Sequence, residues 1–334
     1  MRVPLFTAVS LAFVIAAASA APAAPPAAAP EKFSFTTNWY AQAEHGGFYQ
    51  ALATGLYKQE GLDVTLKMGG PQVNIMQLLA AGQTDCVMGY DMQTFSGWEQ
   101  GIHSVTVAAA FQKDPQVLIG HPGHLNKLED LKGKTILISA AANTTYWPWL
   151  KDKYKLEDSQ KRPYTFNVQP FIADKNVVQQ GYLSSEPYAI EKEAKFKPTT
   201  FLLSDYGWPP YSTTIVCMEK TLRERPKAVA AFVKASMQGW KDYLKGDARA
   251  ANALIRKDNP AMTDDRIAVG IRLLNESGMV FGGDAAKLGV GIVTDARMKA
   301  TYDMLVAMKL LDPAKVDLKR TYTTQFVRDL KILP

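Results

Sequence analysis

The chain has 334 residues, of which 47% are apolar and 21% charged, with a formal net charge of +6. That balance belongs to a packed globular protein and excludes an intrinsically disordered chain. Lysine and arginine are scattered, with no run of five or more, so the basic excess reads as a solvated surface and argues against nucleic acid as a partner.

The first 20 residues read as an export signal. Met1-Arg2 gives a short positive start, Leu5 to Ala17 an apolar run, and Ala18-Ser19-Ala20 the small residues of a cleavage site. The run is shorter than the ~20 apolar residues a bilayer span needs. Residues 21–30 form an Ala/Pro tract that reads as a flexible spacer. No cysteine stands at the cleavage point, so no lipid-modified anchor is expected there. Roughly 300 residues remain, enough for two domains of ordinary size, in a protein destined for the periplasm.

From Glu31 onward, short β-branched and aromatic runs alternate with amphipathic helical patterns, as in α/β architecture. Phe33 to Thr37 reads as a strand and Gly47 to Lys58 as a helix, with Phe48, Leu52 and Leu56 on one face. Leu62 to Met68 alternates as a half-buried strand, and Gln72 to Ala81 reads as a helix opened by Gly69-Gly70-Pro71. Cys86 to Gly89 and Val105 to Ala110 complete a first parallel set. A second set begins after His121-Pro122-Gly123: strands at Thr135 to Ile138, Thr165 to Gln169 and Phe201 to Leu203, with Thr144 capping a helix through Leu150. Thr213 to Met218 is a further strand. Three helices follow, Pro226 to Leu244, Asp264 to Ser277, and Asp295 to Leu310 capped by Thr294. The order predicts one lobe from 31–115 and 214–334 and a second, inserted lobe from 116–213. Gln116 to Gly120 and Thr213 to Met218 are the expected hinge strands.

Cys86 and Cys217 both fall in strand-like segments. They could pair in an oxidising compartment, but the reading favoured here is two buried free thiols. The chain has no phosphate loop, no dinucleotide fingerprint, no H-E-x-x-H and no nucleophile elbow. His121 and His124 sit in a Pro/Gly connection without acidic or cysteine neighbours at ligand spacing, so neither a metal nor a cofactor is expected.

In open α/β sheets ligands sit at the carboxyl ends of strands, near helix N-termini with free N–H groups. Those positions hold Asn38, Trp39 and His45 after the first strand, Gly70 after the second, and Tyr90 and Asp91 after the third. The inserted lobe supplies Asn143, Thr144, Tyr146, Glu186, Tyr188, Tyr206 and Tyr211. Flat aromatic faces can sandwich a planar ligand. Carboxylates are present in these segments and arginine is absent, which favours a ligand rich in N–H donors or a cationic one over a dedicated anion site.

These residues also carry a family resemblance. Asn38-Trp39-Tyr40, Glu44-His45-Gly46-Gly47-Phe48-Tyr49 and Gly55-Leu56-Tyr57-Lys58-x-Glu60-Gly61-Leu62-Asp63-Val64 resemble the opening of the thiamine-pyrimidine-precursor-binding proteins. Gly82-x-x-Asp85, Leu128-x-x-Leu131-Lys132-Gly133-Lys134 and Glu186-Pro187-Tyr188 are similar to the wider nitrate-, sulfonate- and taurine-type group. The resemblance implies a type II periplasmic-binding fold, two Rossmann-like lobes joined by a two-strand hinge, in a monomer that delivers a small solute to an ABC permease. It implies Trp39 as a stacking aromatic, Glu186 as a carboxylate receiving N–H groups, Tyr188 as the aromatic beside it, and His45 as the histidine opening the first helix. Ala41-Gln42-Ala43 stands where such proteins commonly carry a Pro-Asn pair, so the solute could instead be a sulfonate, nitrate or aromatic carboxylate held by helix N-termini at Gly70 and Thr144. A pyrimidine-synthase-type enzyme is the remote alternative.

Overall fold

The computed structural model describes Met1 and residues 29–334, so the export signal and most of the Ala/Pro spacer lie outside the described residues. In chain order the strands are β1 (Glu31–Thr36), β2 (Leu62–Lys67), β3 (Cys86–Gly89), β4 (Ser104–Phe111), β5 (Gln116–Gly120), β6 (Thr135–Ile138), β7 (Lys161–Pro163), β8 (Val177–Tyr182), β9 (Thr199–Leu202) and β10 (Ser212–Met218). They form two five-stranded sheets, ordered β2-β1-β3-β10-β4 and β7-β6-β8-β5-β9. Each sheet with its helices makes one lobe.

The sheets share a plan. In the first, β1 pairs parallel with β2 and β3, while β10 runs antiparallel to β3 and β4. In the second, β6 pairs parallel with β7 and β8, while β5 runs antiparallel to β8 and β9. The wholly parallel sets expected from the sequence are therefore each interrupted by one reversed strand. Both reversed strands are the ones the chain uses on entering a lobe. The crossings themselves are residues 112–115 and 203–211, so β5 and β10 lie within single sheets and the connecting residues precede them.

Local chemistry explains most boundaries. The first helix runs Gly46–Ala53 and breaks before Leu56–Gln59, because Gly55 takes a left-handed conformation at φ 76°. Asn74, not Gly70, caps the next helix, accepting from Gln77 N at 3.2 Å, so the helix is Ile75–Ala80. Thr144 closes a 3-10 turn at Ala140–Thr144, and the helix proper is Tyr146–Tyr154. Residues 165–169 form no strand; the edge strand is β7, five residues earlier, and β8 goes unpredicted. The C-terminal helices match closely at Pro226–Lys245, Asp264–Glu276 and Asp295–Ala307. Thr294 flanks the last of these without capping it: its hydroxyl donates to Asp284 at 3.0 Å.

The first lobe's core is aromatic. Phe33, Phe35 and Phe48 surround Phe232, and Tyr57 stacks on Phe232 at 5.2 Å. Helix Pro226–Lys245 presses Val229, Phe232, Val233, Met237 and Trp240 into that core. Its approach to helix Gly46–Ala53 depends on glycine: a Cβ on Gly239 would stand 2.3 Å from Gly47 O, and one on Gly47 would meet the Trp240 ring at 2.2 Å.

Cys86 and Cys217 are a disulfide between directly opposed residues of β3 and β10, with Cα atoms 4.3 Å apart. The expectation of free thiols is corrected: antiparallel register places the two side chains on the same face at bonding distance.

Candidate functional site

A cavity lies between the two sheets, with about 440 Å³ of atom-free space. Aromatic side chains from both lobes give it the form of a slot. The first lobe contributes Asn38, Trp39, Gln42 and Tyr90; the second contributes Gln116, Ser139, Ala141, Ala142, Thr145, Tyr146, Gln180, Gly181, Tyr182 and Glu186.

Each wall is held from behind. Trp39 follows β1 and lies nearly parallel to Tyr164 of the second lobe, at 12° and 6.1 Å between centroids. Phe166 packs its edge on Trp39 at 6.3 Å and also reaches Tyr40. Phe166 has φ 64°, a left-handed conformation costly for a side chain with a Cβ. The contacts made across the cleft oppose that cost, a pattern typical of functional loops.

Glu186 opens helix Glu186–Ala194 and is buried. Its carboxylate accepts from Tyr164 Oη at 3.1 Å and from Tyr182 N at 2.8 Å. Burial pushes its pKa up, and those hydrogen bonds pull the other way. It is the one charged residue in the lining. Arg266, from helix Asp264–Glu276, sits over the Phe166 ring at 5.5 Å and draws the Glu186 pKa down. No local pattern marks it, because 80 residues separate it from Glu186.

The amide groups acquire a fixed sense. Gln116 Nε2 donates to Val117 O at 3.1 Å and to Gly181 O at 3.0 Å, which uses both its hydrogens and leaves Oε1 to accept. Gln180 Oε1 takes Ser139 N at 2.6 Å and Tyr146 Oη at 2.9 Å, which leaves Nε2 to donate. The slot thus offers acceptors at Gln116 and Glu186 and a donor at Gln180.

Two contacts tie the lobes beside the cavity. Ser184 donates to Glu44, and Ser185 approaches Gln42 at 3.5 Å. Glu44 is fully buried and its pKa is pushed up to about 7, chiefly by desolvation.

Of the residues singled out from the sequence, Asn38, Trp39, Tyr90, Tyr146 and Glu186 converge on the cavity. The others sit elsewhere. His45 is fully buried, with neither ring nitrogen bonded within the protein, and burial holds its pKa down at about 3. Gly70 is buried under the Tyr40 ring. Asp91 is occupied at the start of helix Asp91–Glu99, accepting from Met92 N at 2.7 Å and Thr301 Oγ1 at 3.0 Å. Asn143 and Thr144 are exposed; Asn143 accepts from Lys161 at 2.9 Å, and Thr144 donates to Ala141 O at 3.2 Å. Tyr188 lies on the outer groove under Lys192 at 5.4 Å. Tyr206 is 38% exposed against Phe201. Tyr211 is buried at the second crossing, with Arg297 4.3 Å above its ring. His121 binds Phe171 O at 2.7 Å and stacks on that ring, a packed core residue.

The lining residues that sequence reasoning missed include Gln42, Gln116, Ser139, Gln180 and Tyr182. One signal was available: the adjacent pair Gln179-Gln180 interrupts an otherwise apolar strand, Val177–Tyr182.

Comparison with known proteins gives a consistent picture. The chain is 24% identical to the riboflavin-binding protein RibY of Chloroflexus aurantiacus, over 84% of this chain and 81% of that one. It is 21% identical to the formylaminopyrimidine-binding protein of Halalkalibacterium halodurans, over 78% and 82%. In structure it is similar to the alkanesulfonate-binding protein SsuA of Xanthomonas axonopodis pv. citri bound to MOPS, with a TM-score of 0.63, 16% identity, and 89% and 100% of the two chains covered. The fold also carries chemistry: the desulfurization enzyme DSZB matches at a TM-score of 0.54 and 13% identity, over 90% and 98%. The sequence profile described as NMT1/THI5 like matches residues 42–250, and the chain belongs to that family.

Proposed function

We propose that this chain is an exported solute-binding protein that captures a small planar nitrogenous ring and presents it to an ABC permease. The observation that carries the reading is the slot itself: flat side chains from both lobes, one buried carboxylate, and no cation in the lining. Two of the relatives are named for planar nitrogen heterocycles, riboflavin and formylaminopyrimidine.

The residues that hold the ring are Trp39 and Tyr90 on one side and Tyr146, Tyr182 and Glu186 on the other. Lobe 1 comprises residues 31–111 and 212–334 and lobe 2 residues 116–202, with the crossings at 112–115 and 203–211 between them. A solute touching both walls favours the closed arrangement because only that arrangement completes its contacts. The ring N–H groups meet the acceptors at Gln116 and Glu186, and a ring acceptor meets Gln180 Nε2. Export fits the disulfide, since such bonds persist outside the reducing cytosol.

The alternative solute, a sulfonate, nitrate or aromatic carboxylate, has the SsuA likeness in its favour. Against it, Gly70 opens no helix, and a buried anion beside Glu186 would face like charge without a compensating arginine fork. The enzyme alternative needs a lysine to hold pyridoxal phosphate and a histidine to react, and the lining contains neither. Competition calorimetry decides among solutes: a diamino- or formylamino-pyrimidine binds and taurine, nitrate and benzoate do not displace it. Displacement by taurine or nitrate at comparable concentration contradicts the proposal.

A further inference from the structure

Asp114 lies in the first crossing and touches both crossings and both lobes. It is fully buried. Its Oδ2 accepts from Trp208 Nε1 in the second crossing at 2.8 Å, and its Oδ1 faces Gln116 N at 3.3 Å and Tyr90 Oη at 3.4 Å. Tyr90, from the first lobe, shares a 2.7 Å hydroxyl–hydroxyl bond with Tyr182, from the second, and both residues line the cavity. A carboxylate, two phenols and the slot therefore form one chain.

Each phenol owns a single proton, so the direction of the chain follows from its buried end. An ionised Asp114 only accepts. Tyr90 then donates its hydrogen bond to it, Tyr182 donates to Tyr90, and Tyr182 Oη has lone pairs alone left for a solute. A protonated Asp114 donates to Tyr90, and the whole sequence reverses, so that Tyr182 becomes a donor.

We propose that Asp114 is a positioning residue that sets the hydrogen-bond sense of the cavity wall at Tyr182, making the slot select for N–H donors when it is ionised and for acceptors when it is protonated. The selectivity half of this rests on the solute-binding reading; the ordering of the phenols does not. Burial pushes the Asp114 pKa up to about 7, against the bonds from Trp208 and Gln116, so the reversal falls near neutral pH. Tyr90, Tyr146 and Tyr182 are the titratable groups around it, and each is held neutral by burial. Ser212 faces the same carboxylate. The charged neighbours are engaged elsewhere: Lys113 pairs with Asp205 at 2.7 Å, and Arg297 donates to Gln112 O and Pro209 O.

The test uses empty protein carrying tyrosine labelled with carbon-13 at Cζ, titrated by NMR from pH 5 to 9. The Tyr90 and Tyr182 resonances move together with a midpoint near 7. The response disappears in Asp114→Asn, and at Tyr182 it disappears in Tyr90→Phe. It persists in Glu44→Gln, which removes the other carboxylate of similar pKa close to Tyr182. A flat Tyr182 resonance in the native chain, or a response that survives Asp114→Asn or Tyr90→Phe, overturns the proposal. A second arm compares cytosine with uracil at pH 8.5 and 5.5. A preference for the amino compound of roughly five- to hundredfold at pH 8.5, the scale of one mismatched buried polar group, narrows as Asp114 protonates. If cytosine, uracil and a formylamino-pyrimidine all fail to bind while the resonances respond, the relay stands and the solute reading fails. If cytosine binds and the resonances stay flat, the relay fails and the solute reading stands.

Discussion

Glu186 opens a helix and Trp39 follows the end of a strand, so each reaches the slot from a position that the chain defines locally. The glutamines beside them reach it through strand register. Gln180 and Gln179 point to opposite sides of the sheet, and only the pairing of Leu118 with Gln180 and of Gln116 with Tyr182 decides which glutamines reach the slot. His45 shows the converse. It sits at the expected place, yet helix Gly46–Ala53 turns it into the first lobe's interior, where burial holds it neutral. The residue most exposed to test is Glu186. On the proposed function, replacing it with alanine removes charged hydrogen bonds to the solute, and calorimetry is expected to show a loss of about 1.5–3 kcal/mol in binding. Unchanged affinity would take Glu186 out of the site. Trp39→Ala should cost a further stacking contribution of about 0.5–1.5 kcal/mol beyond lost area, and should also lower the melting temperature, because Trp39 packs against Tyr164 and Phe166 at the edge of the second lobe's core.

At the scale of elements, amphipathic helices were read to within a few residues, as Pro226–Lys245 illustrates. Short strands such as β7 and β8 escaped because three to six residues carry too little period to separate strand from loop. The disulfide escaped for a related reason: pairing between β3 and β10 joins residues 131 apart, a register that no local pattern encodes. That span encloses the whole second lobe, so the bond restrains the unfolded chain strongly. Chain entropy for a loop of this length sets a ceiling of about 5 kcal/mol. Cys86→Ser with Cys217→Ser should lower unfolding stability in urea by about 2–5 kcal/mol. A loss below half a kcal/mol would show that the bond adds nothing to the fold. The glycine contact between helices makes a sharper claim. Gly239→Ala forces a methyl against Gly47 O at 2.3 Å, backbone that cannot swing aside. It should destabilise by about 1–3 kcal/mol, although alanine is the better helix former.

The whole molecule carries its buried acids at the boundary between lobes and crossings. Glu44, Asp91 and Asp114 are each pushed up to about 7 by desolvation. The folded chain therefore holds protons that the unfolded chain releases between roughly pH 4 and 7, and stability falls as pH rises through that window. His45, pushed down to about 3, acts in the opposite sense, but it is one group against three. The melting temperature should be higher at pH 5 than at pH 8, and Glu44→Gln should reduce the difference. Stability that rises steadily from pH 5 to 8 would contradict these assignments. Glu44 also bridges to Ser184 across the cleft, so its burial belongs to the closed arrangement. Lobe count and order followed from the alternation of strands and helices, whereas the site where the lobes meet depends on how two sheets face each other, which no single segment records.

The most direct measurement is native mass spectrometry of the protein purified without denaturation from cells that make it, followed by release and ultraviolet absorption of whatever it retains. The account predicts one small, ring-absorbing nitrogen heterocycle per chain, absent from the Glu186→Ala protein. Retention of an aliphatic sulfonate or nitrate, or a heterocycle held equally well after Glu186→Ala and Trp39→Ala, would contradict it.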